Sequence, residues 1–328
     1  MKSFSLSICI ATYNRAGYIG ETLDSILPQL DEDIELLVVD GASTDNTENI
    51  VRAYAEKKSN IRYIRLSKKG GVDQDYDKSV EFARGEFCWL FTDDDLLKPG
   101  AISAVVEAIK TGYGFIVLNA EVRNNDLSVI LQSRRVSLQS NKIYINSEME
   151  NLFIDTVNYL SYIGAVIIRR NIWMSRDRLS YFGTEFIHVG VIFQKPLLET
   201  ALFIAEPYIT IRHGIAQWEP RRFEIWMVKW PTLLWSFKNF STETLLRVSL
   251  KEPWRKFRML MILRSSGNYN IQEYRQYLSA KKAAVLWKFC AILIALLPRK
   301  IFDAVRYIFS LRKIIYTPIH SNEGFIEQ

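Results

Sequence analysis

Histidine and cysteine are scarce, with three of each in 328 residues. Cys9, Cys88 and Cys290 show neither the paired spacing of a zinc site nor a disulfide framework, and a reducing cytosol suits them. Cys9 and Cys88 fall inside apolar, β-rich runs, where cysteine acts as a small buried hydrophobe. Long apolar runs are missing too. Phe4 to Ala11 is too short, and too soon followed by Asn14-Arg15, to read as a signal peptide. Ala283 to Leu297 carries one charge, Lys288, and as a helix would be about 22 Å long, short of the roughly 30 Å of a hydrocarbon core. No internal repeat or low-complexity tract occurs. A composition of 48% hydrophobic and 24% charged residues excludes a disordered chain and allows one or two domains. Basic charge is confined as well. Lys281 to Lys313 holds eight Lys/Arg against one Asp, while the whole chain is only +6. That imbalance argues against general nucleic-acid binding and for contact of one C-terminal segment with an anionic surface.

What is present in the first hundred residues is alternation. Leu6–Ala11, Ile34–Val39, Ile61–Leu66 and Phe87–Phe91 read as strands. Tyr18–Leu27, Thr47–Tyr54 and Lys78–Ala83 carry helical patterns. This spacing predicts βαβ units, a mostly parallel sheet and right-handed crossovers, with ligands beyond the carboxyl ends of the strands. Polar clusters follow each strand: Thr12–Arg15, Asp40–Asp45, Ser67–Asp77 and Asp93–Asp95. From Phe115 the pattern becomes that of a mixed sheet. Strands are expected at Phe115–Leu118, Val129–Val136, Gly164–Arg169, Leu202–Ala205 and Tyr208–Arg212, and helices at Asn146–Ile154 and Gly183–Leu198. Beyond His213 the chain is helical in pattern and rich in Trp, Arg and Lys, so a domain boundary is placed at 215.

Asp93-Asp94-Asp95 stands where an apolar strand ends. Adjacent carboxylates resist ionisation unless a cation or strong donors compensate, and hard Mg²⁺ or Mn²⁺ carrying a substrate's phosphates is one such compensation. The alternative is a solvated loop capping the next helix. The blocks Ile8-Cys9-Ile10-Ala11-Thr12-Tyr13-Asn14-Arg15, Leu37-Val38-Val39-Asp40-Gly41-Ala42-Ser43-Thr44-Asp45 and Ala83-Arg84-Gly85-Glu86-Phe87, followed by the triplet, resemble family 2 glycosyltransferases of the GT-A fold. The resemblance covers residues 4 to 213. Gly85 to Phe91 and Tyr181 to Val189 are most similar to the abequosyltransferase-like enzymes of bacterial O-antigen assembly.

The resemblance implies a nucleotide-diphosphate sugar donor, with Ala11, Thr12, Tyr13 and Arg15 around it, Tyr13 stacking on the base and Asp40 accepting from a base N–H. Many relatives carry a second acidic residue where this chain has Gly41. Ser43-Thr44-Asp45 reads as a turn and helix cap. Asp73 and Asp75 replace a segment that often carries an Arg; they are expected at ribose or sugar hydroxyls, or as carboxylates complementing a helix dipole. Aligned on Pro99-Gly100, the family's Asp-x-Asp-Asp motif has Thr92 at its first position. Asp94 and Asp95 are then the metal-binding core, with Asp93 near the ribose. An inverting transferase needs a base for the acceptor hydroxyl. Glu185 is the first choice and His188 the second, three apart on one helix face, His188 having the alternative of a satisfied core histidine. Arg212 is expected at the diphosphate and His213 as a further metal ligand.

The expected architecture is therefore an α/β, Rossmann-like mixed sheet of the GT-A type over residues 1–215, with a helical, membrane-associating region over 216–328. The implied activity is metal-assisted, inverting transfer to a lipid-linked glycan, on the cytoplasmic face of the membrane and bound peripherally to anionic lipid. Trp218, Trp226, Trp230, Trp235 and Trp254 suit either a headgroup boundary or a core. A sugar nucleotidyltransferase would show a Gly-rich phosphate loop after the first strand, which Ala11 to Gly17 is not. A non-catalytic glycan-binding protein on the same fold is the other alternative.

Overall fold

The computed structural model describes residues 4–303, and backbone packing divides the chain at Ile215/Ala216 into two compact units. The first opens with strict alternation: β1 (Phe4–Thr12), α1 (Ile19–Ile26), β2 (Ile34–Asp40), α2 (Thr47–Ala55), β3 (Ile61–Arg65), α3 (Val72–Phe82) and β4 (Gly85–Phe91). Nearly every residue of β1, β2 and β4 is buried. Such continuous apolar strands belong to a parallel sheet covered on both faces. The order β3-β2-β1-β4 is parallel throughout. β2 and β3 lie to one side of β1 and β4 to the other, so the chain switches direction across β1. Ile10 pairs with Phe91 in register, which places the loops after β1 and β4 together at the switch point, where open α/β sheets bind ligands.

The sheet continues through β5 (Leu96–Leu97), α4 (Ala101–Thr111), β6 (Phe115–Arg123), β7 (Ile130–Gln132), β8 (Lys142–Tyr144), α5 (Met149–Thr156), β9 (Val166–Arg169), α6 (Arg170–Met174), α7 (Ile187–Phe193) and β10 (Ala201–Arg212). β9 runs antiparallel between β4 and β6, and β10 runs parallel to β6 with β5 antiparallel on its far edge. The sheet is therefore mixed beyond β4.

Several boundaries differ from expectation, and four of the differences have a local reason. The two strands expected at 202–205 and 208–212 are one strand, β10, with register shifts around Pro207. Val129–Val136 shrinks to β7, whose residues are exposed; Arg135 N–H turns back to Ala120 O at 2.8 Å. α3 begins at Val72, several residues before the expected helix, and takes Asp73 and Asp75 into its first turn. The helix expected over 183–198 is only α7. Gly183 and Glu185 both have positive φ, which halts a helix at its start, and Pro196 disfavours helical backbone at the residue before it.

The second unit is helical, including Thr242–Val248, Phe257–Ser265 and Val285–Leu296. Trp226, Trp230 and Trp254 are buried in its core, so the headgroup-boundary alternative for these three is corrected. Among the described residues no helix is long and apolar enough to cross a membrane. Val285–Leu296 buries Ala291, Ile294 and Ala295, and Tyr269 Oη donates to Ala291 O at 3.1 Å. Its other face exposes Val285 (86%), Leu286 (73%), Phe289, Leu293 and Leu296. Lys281, Lys282, Arg299 and Lys300 stand exposed beyond its two ends. Arg306, Arg312 and Lys313 lie outside the described residues.

Candidate active site

The loop after β1 is shaped by polar side chains of the segment after β2. Asp45 Oδ1 accepts Thr47 N–H at 3.0 Å and Oδ2 accepts Ala16 N–H at 3.1 Å. Thr47 Oγ1 accepts Arg15 N–H at 2.9 Å, and Ser43 Oγ accepts Asn14 N–H at 2.9 Å. Ser43-Thr44-Asp45 is thus a turn that fixes the backbone from which Arg15 extends. The Arg15 guanidinium reaches Asp94 Oδ2 at 2.8 Å and Asp93 Oδ1 at 3.3 Å. One cation therefore bridges two carboxylates at the switch point of the sheet.

The charge there is under-compensated. Burial pushes the Asp93 carboxyl up to about 7, and the neighbouring Asp94 charge adds to this against Arg15. Burial raises Asp94 as well, opposed by Arg15 and Arg212. Asp95 reaches about 7, from burial and then Asp94, but its role is different. Its Oδ2 accepts from Thr92 Oγ1 at 2.6 Å and Tyr162 Oη at 2.8 Å, and its Oδ1 from Arg212 N–H at 2.7 Å. Both oxygens are engaged by protein donors, so Asp95 joins the end of β4 to Tyr162 and β10. Asp94, expected with Asp95 as the metal pair, shares Arg15 with Asp93.

Arg212 is buried beside them. Its Nε donates to Asp94 O at 3.1 Å, Nη1 to Asn125 O at 2.6 Å and Nη2 to Glu21 at 2.5 Å. Its guanidinium fixes the triplet's backbone and is not a free fork for phosphate. Tyr18 lies between the two arginines, with the Arg15 and Arg212 guanidinium carbons 5.8 and 5.4 Å from its ring centroid. His213 is exposed. Among the described residues no group of three His, Cys, Asp or Glu is arranged to hold a metal, so His213 does not join the acidic pair.

The residues expected around a nucleotide lie on or beside β1, β2 and α3. Ala11 and Tyr13 are half-buried at the end of β1, and Lys69 Nζ lies 3.7 Å from the Tyr13 ring centroid. Thr12 is buried, and its hydroxyl beside Asp93 works against the rise in that carboxyl's proton affinity. Asp40 is buried; Oδ1 accepts Ser43 N–H at 2.7 Å and Oδ2 accepts Tyr63 Oη at 2.6 Å. Asp75 Oδ1 accepts Gly70 N–H at 3.1 Å, while Oδ2 would stand 2.8 Å from a Cβ at Gly41. The missing side chain at 41 is what admits this carboxylate. Burial pushes Asp75 up to about 6.

For Asp73 and His188, burial and bonding fit the second of the two readings given to each. Asp73 does not face sugar hydroxyls, because its oxygens accept Glu185 N–H and Ile187 N–H, each at 2.9 Å. His188 is fully buried on α7 with Nε2 2.6 Å from Leu160 O, and burial lowers it to about 4. It is a core histidine. Glu185 and His188 do not share a helix face, since Glu185 precedes α7 in a left-handed conformation with φ 72° and is half-buried. The roles of Tyr162 and Asp73 carried no local sequence signal, because their partners lie far along the chain.

Residues 7–174 match the sequence model of glycosyl transferase family 2. The chain is 29% identical over 273 residues to the abequosyltransferase RfbV of Salmonella typhimurium, covering 76% of this chain and 81% of that one. It is 30% identical over 115 residues to a Campylobacter jejuni GalNAc(5)-diNAcBac-PP-undecaprenol beta-1,3-glucosyltransferase, covering 35% of this chain and 37% of that protein. In three dimensions it is similar to residues 1–349 of TarS from S. aureus, solved with UDP, at a TM-score of 0.61 and 16% identity over 93% of this chain and 87% of that one. The fold is thus GT-A-like, and with more than half of its length matched by the family model, the chain belongs to glycosyl transferase family 2.

Proposed function

We infer that this glycosyltransferase moves a sugar from a nucleotide-diphosphate donor to a hydroxyl of a lipid-linked glycan during assembly of a bacterial surface polysaccharide such as O-antigen. The observation that carries the reading is the Arg15-bridged pair Asp93 and Asp94 at the switch point, beside the paired ends of β1 and β2 that bear Ala11, Tyr13 and Asp40. The similarity to enzymes whose names specify abequosyl transfer and an undecaprenol-linked glycan supports the substrate class.

Two hard carboxylates with raised proton affinity suit Mg²⁺ or Mn²⁺, which is usually held by one or two carboxylates together with substrate phosphates. Asp93 and Asp94 would hold it. When bound, such an ion offsets the charge that develops on the departing diphosphate. The protein's own residues supply the rest. Tyr13 offers a ring face to the base, and Asp40 and Asp75 offer carboxylates to its N–H groups and to ribose hydroxyls. Arg15 lies where it can exchange Asp94 for phosphate oxygen. Glu185 takes the proton from the acceptor hydroxyl as that oxygen bonds to the anomeric carbon. The bond from that carbon to the diphosphate oxygen breaks on the opposite side, and its electron pair leaves with the nucleoside diphosphate. Attack from that side inverts the anomeric centre.

The exposed apolar face of Val285–Leu296, with Lys281, Lys282, Arg299 and Lys300 beyond its ends, supports peripheral attachment to an anionic membrane surface. Such a surface on the cytoplasmic side would bring the enzyme to a lipid-linked acceptor. The test is nucleoside diphosphate release from a panel of UDP-, GDP-, CDP- and dTDP-sugars, with and without a divalent cation. Release from none of them, by folded protein supplied with Mn²⁺ and a lipid-linked glycan, rejects the reading.

A further inference from the structure

Glu185 has a backbone that a glutamate does not adopt unaided. Its φ of 72° lies in the left-handed region, which is unfavourable for a non-glycine residue. Such a conformation persists only where the surroundings over-determine it. The main determinant in view is Asp73. This residue sits 112 positions earlier, in the first turn of α3, and is 4% exposed. Its two carboxylate oxygens accept the N–H of Glu185 and the N–H of Ile187, both at 2.9 Å. The bonds pin the 184–185 and 186–187 peptide units, and so both ends of the Glu185–Phe186 segment, from one side chain.

α3 is also tied to the acidic triplet. Tyr76, one turn after Asp73 and on the same face, donates from its hydroxyl to Phe91 O at 2.9 Å, and the charges of Asp93, Asp94 and Asp95 raise its proton affinity after burial does. The next residue, Asp77, accepts from Trp173 Nε1 at 2.9 Å and from Arg178 at 3.1 Å. The first two turns of α3 therefore connect the loop carrying Glu185 to the strand end carrying the acidic pair. Keeping a buried carboxylate here is unfavourable: burial pushes Asp73 up to about 6, and the nearby Glu185 charge adds to this against the backbone donors. An asparagine would offer one acceptor without that penalty, but only one.

We propose that Asp73 is a positioning residue for the catalytic base, a two-point clamp on the backbone of Glu185 and Ile187 that sets the base against the acceptor hydroxyl. The inference rests on Glu185 being the base. Asp73 itself touches no substrate, so its loss acts on turnover and not on donor affinity. A misplacement of about an ångström at a base is enough to cost on the order of a hundredfold in rate.

The test uses the full chain in wild type, Asp73→Asn, Glu185→Gln and the double variant. Two measurements are made: kcat and donor KM by nucleoside diphosphate release, and amide hydrogen exchange at residues 185 and 187. The expected result is a kcat lowered tenfold or more in Asp73→Asn, with donor KM within about twofold. Amides 185 and 187 should lose protection, and the double variant should be no slower than Glu185→Gln. Unchanged protection at both amides overturns the clamp even without turnover data. Wild-type kcat in Asp73→Asn beside an inactive Glu185→Gln removes this inference and leaves the base in place. An active Glu185→Gln removes the base assignment and this inference together. An Asp73→Asn effect that multiplies with Glu185→Gln, or that raises KM instead of lowering kcat, shows that Asp73 acts elsewhere.

Discussion

Tyr162 Oη donates to Asp95 Oδ2 at 2.8 Å, across 67 positions of sequence. With Thr92 and Arg212 supplying the other donors, this bond separates the third member of the acidic triplet from the two that face Arg15. Removing the donor leaves a buried carboxylate less satisfied, which costs about 1–3 kcal/mol. Tyr162→Phe should therefore lower Tm by several degrees and turnover by less than tenfold. A thermal melt and a rate measurement suffice; an inactive variant with unchanged Tm would mean that Tyr162 touches substrate.

Asp94→Ala should behave in the opposite way. Relieving repulsion inside the triplet should hold or raise the Tm of the free protein. Losing the ligand that offsets leaving-group charge should reduce transfer by about a thousandfold, or several kcal/mol. Differential scanning fluorimetry checks the first half, and nucleoside diphosphate release over a divalent-cation titration checks the second. Full activity in Asp94→Ala, or in wild type with EDTA, contradicts the metal role.

Glu185→Gln should lower kcat by roughly 10² to 10⁴ with donor affinity retained, as measured by turnover and by calorimetry with the donor. His188→Gln should cost stability, because His188 is packed in the core against Leu160 O, while leaving kcat within tenfold. The reverse pattern would transfer the role of base to His188.

The raised carboxyls set a pH dependence. Asp93 and Asp95 sit at about 7, and Asp73 and Asp75 at about 6, all above the ordinary 3.8. Groups raised on folding contribute stability that is present below about 4 and lost as pH climbs through 6 to 7. The Tm of the free protein should therefore fall between pH 5 and pH 8, and Asp93→Asn should flatten that slope. A Tm that is level or rising over this range would contradict the shifts.

Vesicle co-sedimentation should require anionic lipid and weaken with salt, since each Lys or Arg near such a surface contributes about 1 kcal/mol. Replacing the exposed Phe289 and Leu293 by Ser should release the protein without lowering its Tm, because neither side chain belongs to the core of the second unit. Equal binding to neutral vesicles, or no binding, rules out the attachment.

The elements β1 to β4 were legible because their signals are local: apolar runs of strand length, helical periods between them, and polar clusters at the strand ends. The acidic triplet and Glu185 were visible as residue types in a family-like order. What each carboxylate does was not, since function divides among them by partners from distant positions. Asp95 is claimed by Tyr162 and Arg212, Asp73 by the amides of 185 and 187, and Asp93 with Asp94 by Arg15. His188 was misjudged because a helix of the expected length would have placed it beside Glu185. The positive φ of Glu185, which shortens that helix, follows from a tertiary contact.

The gap at Gly41 also constrains how this site can change over generations. A methyl group there would meet Asp75 Oδ2 at 2.8 Å, so any side chain added at 41 has to displace the Asp75 carboxylate from the place it now holds. The two positions are therefore linked in inheritance: a substitution at 41 is also a change at 75, and its effect on a lineage depends on which residue already stands there.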